Sequence, residues 1–144
     1  MADPLSIAAS VAGLLSLSGS LYNRISTFTD RVQYASQSAF ALRLSVSEVR
    51  LALTSVSGLI ESFINISPER RAMVQLDDLI MCLTQLVLVF DELERLVGTW
   101  PEDIQLSLWQ RWRFSGQDEK MMRLSLRIQQ HKTSIGLILN VLQW

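Results

Sequence analysis

Apolar and small residues recur along the chain in steps of four and three, the spacing of a helix with one buried face. The longest such series is Ala35, Ala39, Leu42, Val46, Val49, Leu53, Val56, Ile60 and Phe63. It predicts a helix from Asp30, a plausible N-cap, to about Ile66. Gly58 lies inside it and costs about 1 kcal/mol in helix propensity, which predicts close packing there. Ser67-Pro68-Glu69 supplies cap, first-turn proline and first-turn acid in order for a third helix. Its seam is Leu76, Leu79, Leu83, Leu86, Phe90, Leu93 and Val97, widened by Ile80, Cys82, Val87 and Val89, as in a central helix. Gly98 and Pro101 predict its end. Glu102 to Phe114 predicts a short extra helix bearing Leu106, Trp109, Trp112 and Phe114, closed by Ser115-Gly116. A last helix starts near Gln117 with the seam Met121, Leu124, Ile128, His131, Ile135, Ile138 and Leu142. No strand pattern with turn chemistry competes, and no repeat of about 20–50 residues is present.

The N-terminal stretch is patterned differently. No Asp, Glu, Lys, Arg or His occurs from Pro4 to Asn23. Asp3 can cap a helix with Pro4 at its first position. Seven large aliphatics, Leu5, Ile7, Val11, Leu14, Leu15, Leu17 and Leu21, fall all round that helix rather than in one stripe. Small residues form one row at Ala8, Ala12, Ser16 and Ser20 and a shorter one at Ala9 and Gly13, spacing that lets helix backbones approach closely. Such a helix of about 30 Å matches the thickness of a bilayer core. Five interspersed serines make insertion marginal and conditional. A secretory signal is a poor fit, because Met1-Ala2-Asp3 carries an acid and no base. Two readings stand together: a buried core helix with small residues where neighbours crowd it, and a helix that enters a membrane when it changes partners.

Four long helices and one short one predict an all-α four-helix bundle formed by residues 1–144 as a single domain. The seam that runs to Trp144 without a cap predicts an N-terminal piece of a longer protein. With 144 residues, 49% hydrophobic and 19% charged, the chain is too apolar to be disordered. Net charge is −1, so no overall basic field favours nucleic acid. Charge is unevenly placed. Residues 61–103 carry nine acids against three bases, and residues 104–144 carry six bases against two acids. Neighbouring acidic and basic helices account for this, as does a basic binding surface.

Catalytic chemistry is sparse. There is no phosphate-binding glycine loop and no Cys-x-x-Cys, and the pattern implies no cofactor or metal. Asp77-Asp78 and Asp91-Glu92-Glu94 read as a solvated acidic face. His131 on a seam reads as a partly buried, hydrogen-bonded histidine, and Cys82 as packing. Trp109, Trp112 and Phe114 interleave with Arg111 and Arg113. That cluster suits a membrane interface or protein hot spot, and equally a packed bundle end.

The opening Met1-Ala2-Asp3-Pro4-Leu5-Ser6-Ile7-Ala8-Ala9-Ser10-Val11-Ala12-Gly13-Leu14-Leu15 resembles the start of the fungal HeLo-like domains. The blocks Leu76-Asp77-Asp78-Leu79, Phe90-Asp91-Glu92-Leu93-Glu94 and His131 to Leu142 resemble later parts of the same family. These domains head fungal NLR-type (STAND) receptors and prion-linked cell-death proteins, and are similar to the four-helix bundle of the mixed-lineage-kinase-like necroptosis effector. The resemblance implies a membrane-permeabilising executioner of regulated cell death, in incompatibility or innate immunity. A C-terminal sensor or amyloid-forming region of the parent chain clusters the domains. Self-association then frees the first helix, which moves from a cytoplasmic resting state to plasma-membrane lipids. The tryptophan cluster is not a family hallmark. The rival expectation is a homotypic or adaptor domain without membrane activity of its own.

Overall fold

The computed structural model describes residues 4–31, 37–64, 76–100 and 107–142. These form four helices: α1 (Pro4–Arg31), α2 (Gln37–Ile64), α3 (Leu76–Gly98) and α4 (Ser107–Leu142). The chain is an all-α four-helix bundle. Helix α1 packs on α2 and α3, and α4 packs on the other sides of the same two. The pairs α1/α4 and α2/α3 are therefore the diagonals.

Side-chain pairings give the directions. Arg43 of α2 reaches Thr29 and Asp30 of α1, so that pair is antiparallel with its turn end near residues 30–43. Glu92 of α3 meets Arg127 of α4, and Thr99 shares a groove with Lys120, so this pair is also antiparallel. Ser45 pairs with Ser125 and Glu48 with Lys132, so α2 and α4 run parallel. Ile7 shares a groove with Leu83, and Arg24 reaches Val97, so α1 and α3 are parallel. The bundle is thus two antiparallel pairs, α1/α2 and α3/α4, with α2 and α3 on a diagonal.

The interior follows the seams. Ala39, Leu42, Val46, Val49, Leu53, Val56 and Ile60 of α2 are buried, as are Leu79, Leu83, Leu86, Phe90, Leu93 and Val97 of α3. Val89 joins them and Ile80 and Cys82 pack against them, while Val87 stays 45% exposed. Helix α4 buries Met121, Leu124, Ile128 and Ile135.

Several boundaries differ from the sequence reading. Asp30 is not the cap of α2; it lies in the last turn of α1, where it pairs with Arg43 at 3.3 Å. The reason is that α1 keeps its own seam through Ile25 and Phe28. Gly58 is not closely packed, because an added Cβ would meet nothing within 4 Å. No separate short helix precedes the last one among the described residues: 107–114 are the first turns of α4, which continues through Ser115-Gly116. A glycine costs only about 1 kcal/mol in a helix and stops one chiefly when it turns left-handed; no described glycine has positive φ. Helix α3 does end at Gly98, through tight bonds from Thr99 N–H to Leu96 O and from Trp100 N–H to Val97 O, both 3.1 Å. The expected third-helix start at 67–69, Pro101 and residues 102–106 lie outside the described residues.

Candidate functional site on the first helix

Helix α1 has a seam after all: Ile7, Val11, Leu14, Ser18, Leu21, Ile25 and Phe28 are each at most 5% exposed. The steps again alternate four and three. Ser18, fully buried at the centre, hides the pattern in the sequence. Its hydroxyl donates to Leu15 O of its own helix at 2.9 Å. Leu15, Leu17 and Ala8 flank the seam and pack partly on the core. The side chain of Leu5 lies outside the described residues.

Apart from Ala8, the small residues of those rows are not where neighbours crowd α1. Ala9, Ala12, Gly13, Ser16 and Ser20 are exposed, with Ser6, Ser10 and Asn23 beside them. A Cβ at Gly13 would meet nothing within 4 Å. The close approach falls at Gly19, where a Cβ would stand 3.3 Å from Nη2 of Arg50. The outward face of α1 up to Asn23 is therefore smooth, uncharged and unpartnered among the described residues. Among them, no helix is long and apolar enough to cross a membrane.

The C-terminal end of α1 is different in kind. Phe28 stacks on Trp100 with ring centroids 4.4 Å apart. Arg24 donates to Val97 O at 3.4 Å. Arg43 donates to Thr29 Oγ1 at 3.2 Å, and its guanidinium stands 6.0 Å from the Tyr22 ring centre. Sequence reasoning missed Ser18, Arg43 and Trp100; the continuation of the four-three spacing past Asn23 was the available signal.

A polar ladder ties α2 to α4. Ser45 and Ser125 hydroxyls lie 2.7 Å apart, and Gln129 Nε2 donates to Ser45 Oγ at 3.1 Å and to Glu48 Oε2 at 3.0 Å. Hydrogen bonds from Lys132 and Gln129 hold the Glu48 carboxyl below its usual pKa. This ladder fixes register between two buried surfaces, since unpaired hydroxyls there would be costly.

The remaining singular residues are quiet. Cys82 packs against the core, and burial followed by the nearby Asp78 raises its thiol pKa, away from nucleophilic use. His131 is half-buried; burial first, then Arg127, lowers its pKa. It makes no hydrogen bond to a described residue, contrary to expectation. The acidic cluster is exposed and partly paired, Asp91 with Arg95 and Glu92 with Arg127. Among the described residues, no three His, Cys, Asp or Glu side chains gather into a group that could hold a metal. Trp109, Arg111, Trp112, Arg113 and Phe114 lie along the first turns of α4, but their side chains are outside the described residues.

Compared with protein-family models, curated proteins and solved structures, the chain matches none.

Proposed function

We propose that the bundle is a conditional membrane-permeabilising executioner domain of regulated cell death, of the HeLo-like kind. At rest in the cytoplasm, α1 covers the bundle. A C-terminal sensor or amyloid-forming region clusters the domains, and the first helix then moves to plasma-membrane lipids. One observation carries the reading: α1 presents an uncharged small-residue face to solvent and an aliphatic seam to the core. Leaving the core for a bilayer costs such a seam little, because lipid tails are about as apolar as leucine. The exposed serines oppose insertion of a single helix. Clustering raises the local concentration at which the small faces of several helices cover one another.

The test is dye release from anionic vesicles by the protein fused to an inducible oligomeriser. Clustered protein should release dye, and the unclustered protein should not. Ala12→Lys adds a charge at an exposed position, so the bundle should keep its stability while leakage falls. A lysine at the centre of an inserted helix costs about 3 kcal/mol, roughly a hundredfold in inserted population. Sealed vesicles with the clustered parent protein would overturn the proposal.

A second observation favours the rival reading, an adaptor that recruits another effector. Phe40, Leu44 and Leu51 form an outward stripe on α2 and are 48%, 57% and 68% exposed. Apolar side chains grouped on a surface mark contact sites. Loss of partner binding on Leu44→Glu, with vesicles sealed throughout, would favour the adaptor.

A further inference from the structure

Helix α1 is attached to the bundle in two ways along its length. From residue 6 to residue 21 the hold is an apolar seam, interrupted at its middle by the self-satisfied Ser18. No described side chain in that stretch makes a hydrogen bond or ion pair to another helix; Ser10, like Ser18, bonds back to its own helix, at Ser6 O. Arg50 lies across Gly19 as a packing contact only. From Tyr22 onward the attachment is specific: the Arg24 bond to Val97 O, the Phe28–Trp100 stack, and Arg43 on Thr29, Asp30 and Tyr22.

We infer that α1 carries a hinge between Leu21 and Arg24, so that residues 4–21 open as an arm while residues 24–31 stay docked. A chain-terminal segment can open locally without global unfolding, and when residues 6–21 do so no polar contact to another helix is lost. The hinge names the moving unit of the proposed release and rests on that reading only for the arm's destination. The opening itself belongs to the resting bundle. Opened in water, the arm loses its helix, which the core seam had supported; as a helix its 18 residues would span about 27 Å, and the docked collar would keep it tethered to α2 and α3.

Native-state hydrogen exchange on the 144-residue protein, without vesicles, tests this. Amides of residues 6–21 should exchange at least about tenfold faster than those of residues 25–31. Gly13→Ala adds a Cβ in open space and should slow exchange of 6–21 about fivefold, leaving 25–31 unchanged. Equal exchange along the helix overturns the hinge. So does a Gly13→Ala effect that reaches 25–31 equally or is missing from 6–21. Because no membrane is present, such a failure leaves the vesicle test standing; leakage with equal exchange would mean that α1 leaves whole.

Discussion

Leu51 and Leu53 stand two residues apart on α2, one 68% exposed and the other fully buried. The four-three spacing assigns Leu53 to the seam and leaves Leu51 out. Leu53→Ala should cost about 2–5 kcal/mol, from lost transfer energy plus the cavity, while Leu51→Ala should stay within about 0.5 kcal/mol. Urea midpoints at unchanged m-value check both. Two titrating residues contribute to the acid side of stability. Glu48 is held below its ordinary pKa of 4.5 by Lys132 and Gln129, so its contribution is whole above 4.5 and is lost as pH falls through the folded value. His131 is held below 6.5 by burial and Arg127, so the fold binds its proton less readily than the unfolded chain does. Stability should therefore fall as pH drops below 6.5 and level off beneath the folded pKa. In urea titrations from pH 7.5 to about 3, His131→Gln should flatten the upper part of the curve and leave the lower Glu48 step in place.

At the scale of elements, α1 and α2 are equal in length but differ in what holds them. Helix α2 has an unbroken aliphatic seam and the Ser45–Gln129–Glu48–Lys132 ladder to α4. Helix α1 has a serine at its centre and its specific contacts at one end. Gly58 of α2 faces open space and serves no packing role, so Gly58→Ala should stabilise the protein by about 0.5–1 kcal/mol. Thermal unfolding would register this as a rise in Tm of a few degrees. The α2 and α3 seams were readable because every position carries an apolar or small residue. The α1 seam was not, because Ser18 breaks it and Leu15 and Leu17 blur its edges. Asp30 misled for a related reason. An acid before a seam reads as a cap, but the α1 seam through Ile25 and Phe28 keeps Asp30 in the first helix, where Arg43 pairs with it.

For the whole molecule, the ring order matters more than any one contact. Helix α1 touches α2 and α3, while α4 bridges those same two from the opposite corner. Removing α1 therefore does not disconnect the other helices. A protein lacking residues 1–23 should keep most of its helical circular dichroism, unfold at lower urea, and leave vesicles sealed when clustered. Leakage by that truncated protein as strong as the parent's would exclude α1 as the membrane-active part. Opposite charge on α3 and α4 helps set the order, with Glu92–Arg127 at 2.8 Å; being exposed, it adds little to stability.

The four long helices, most seams and the buried or exposed state of their residues follow from spacing along the chain, because a helix repeats every 3.6 residues whatever lies around it. So does the lack of charge on the first helix up to Asn23, which is a matter of composition. Neighbour relations do not follow from spacing. That α2 and α3 are diagonal, that Arg43 returns to Asp30, that Trp100 stacks on Phe28 and that the small residues of α1 face outward all depend on how four amphipathic cylinders close around one core. A helical period tells which face is buried, and only packing tells against what.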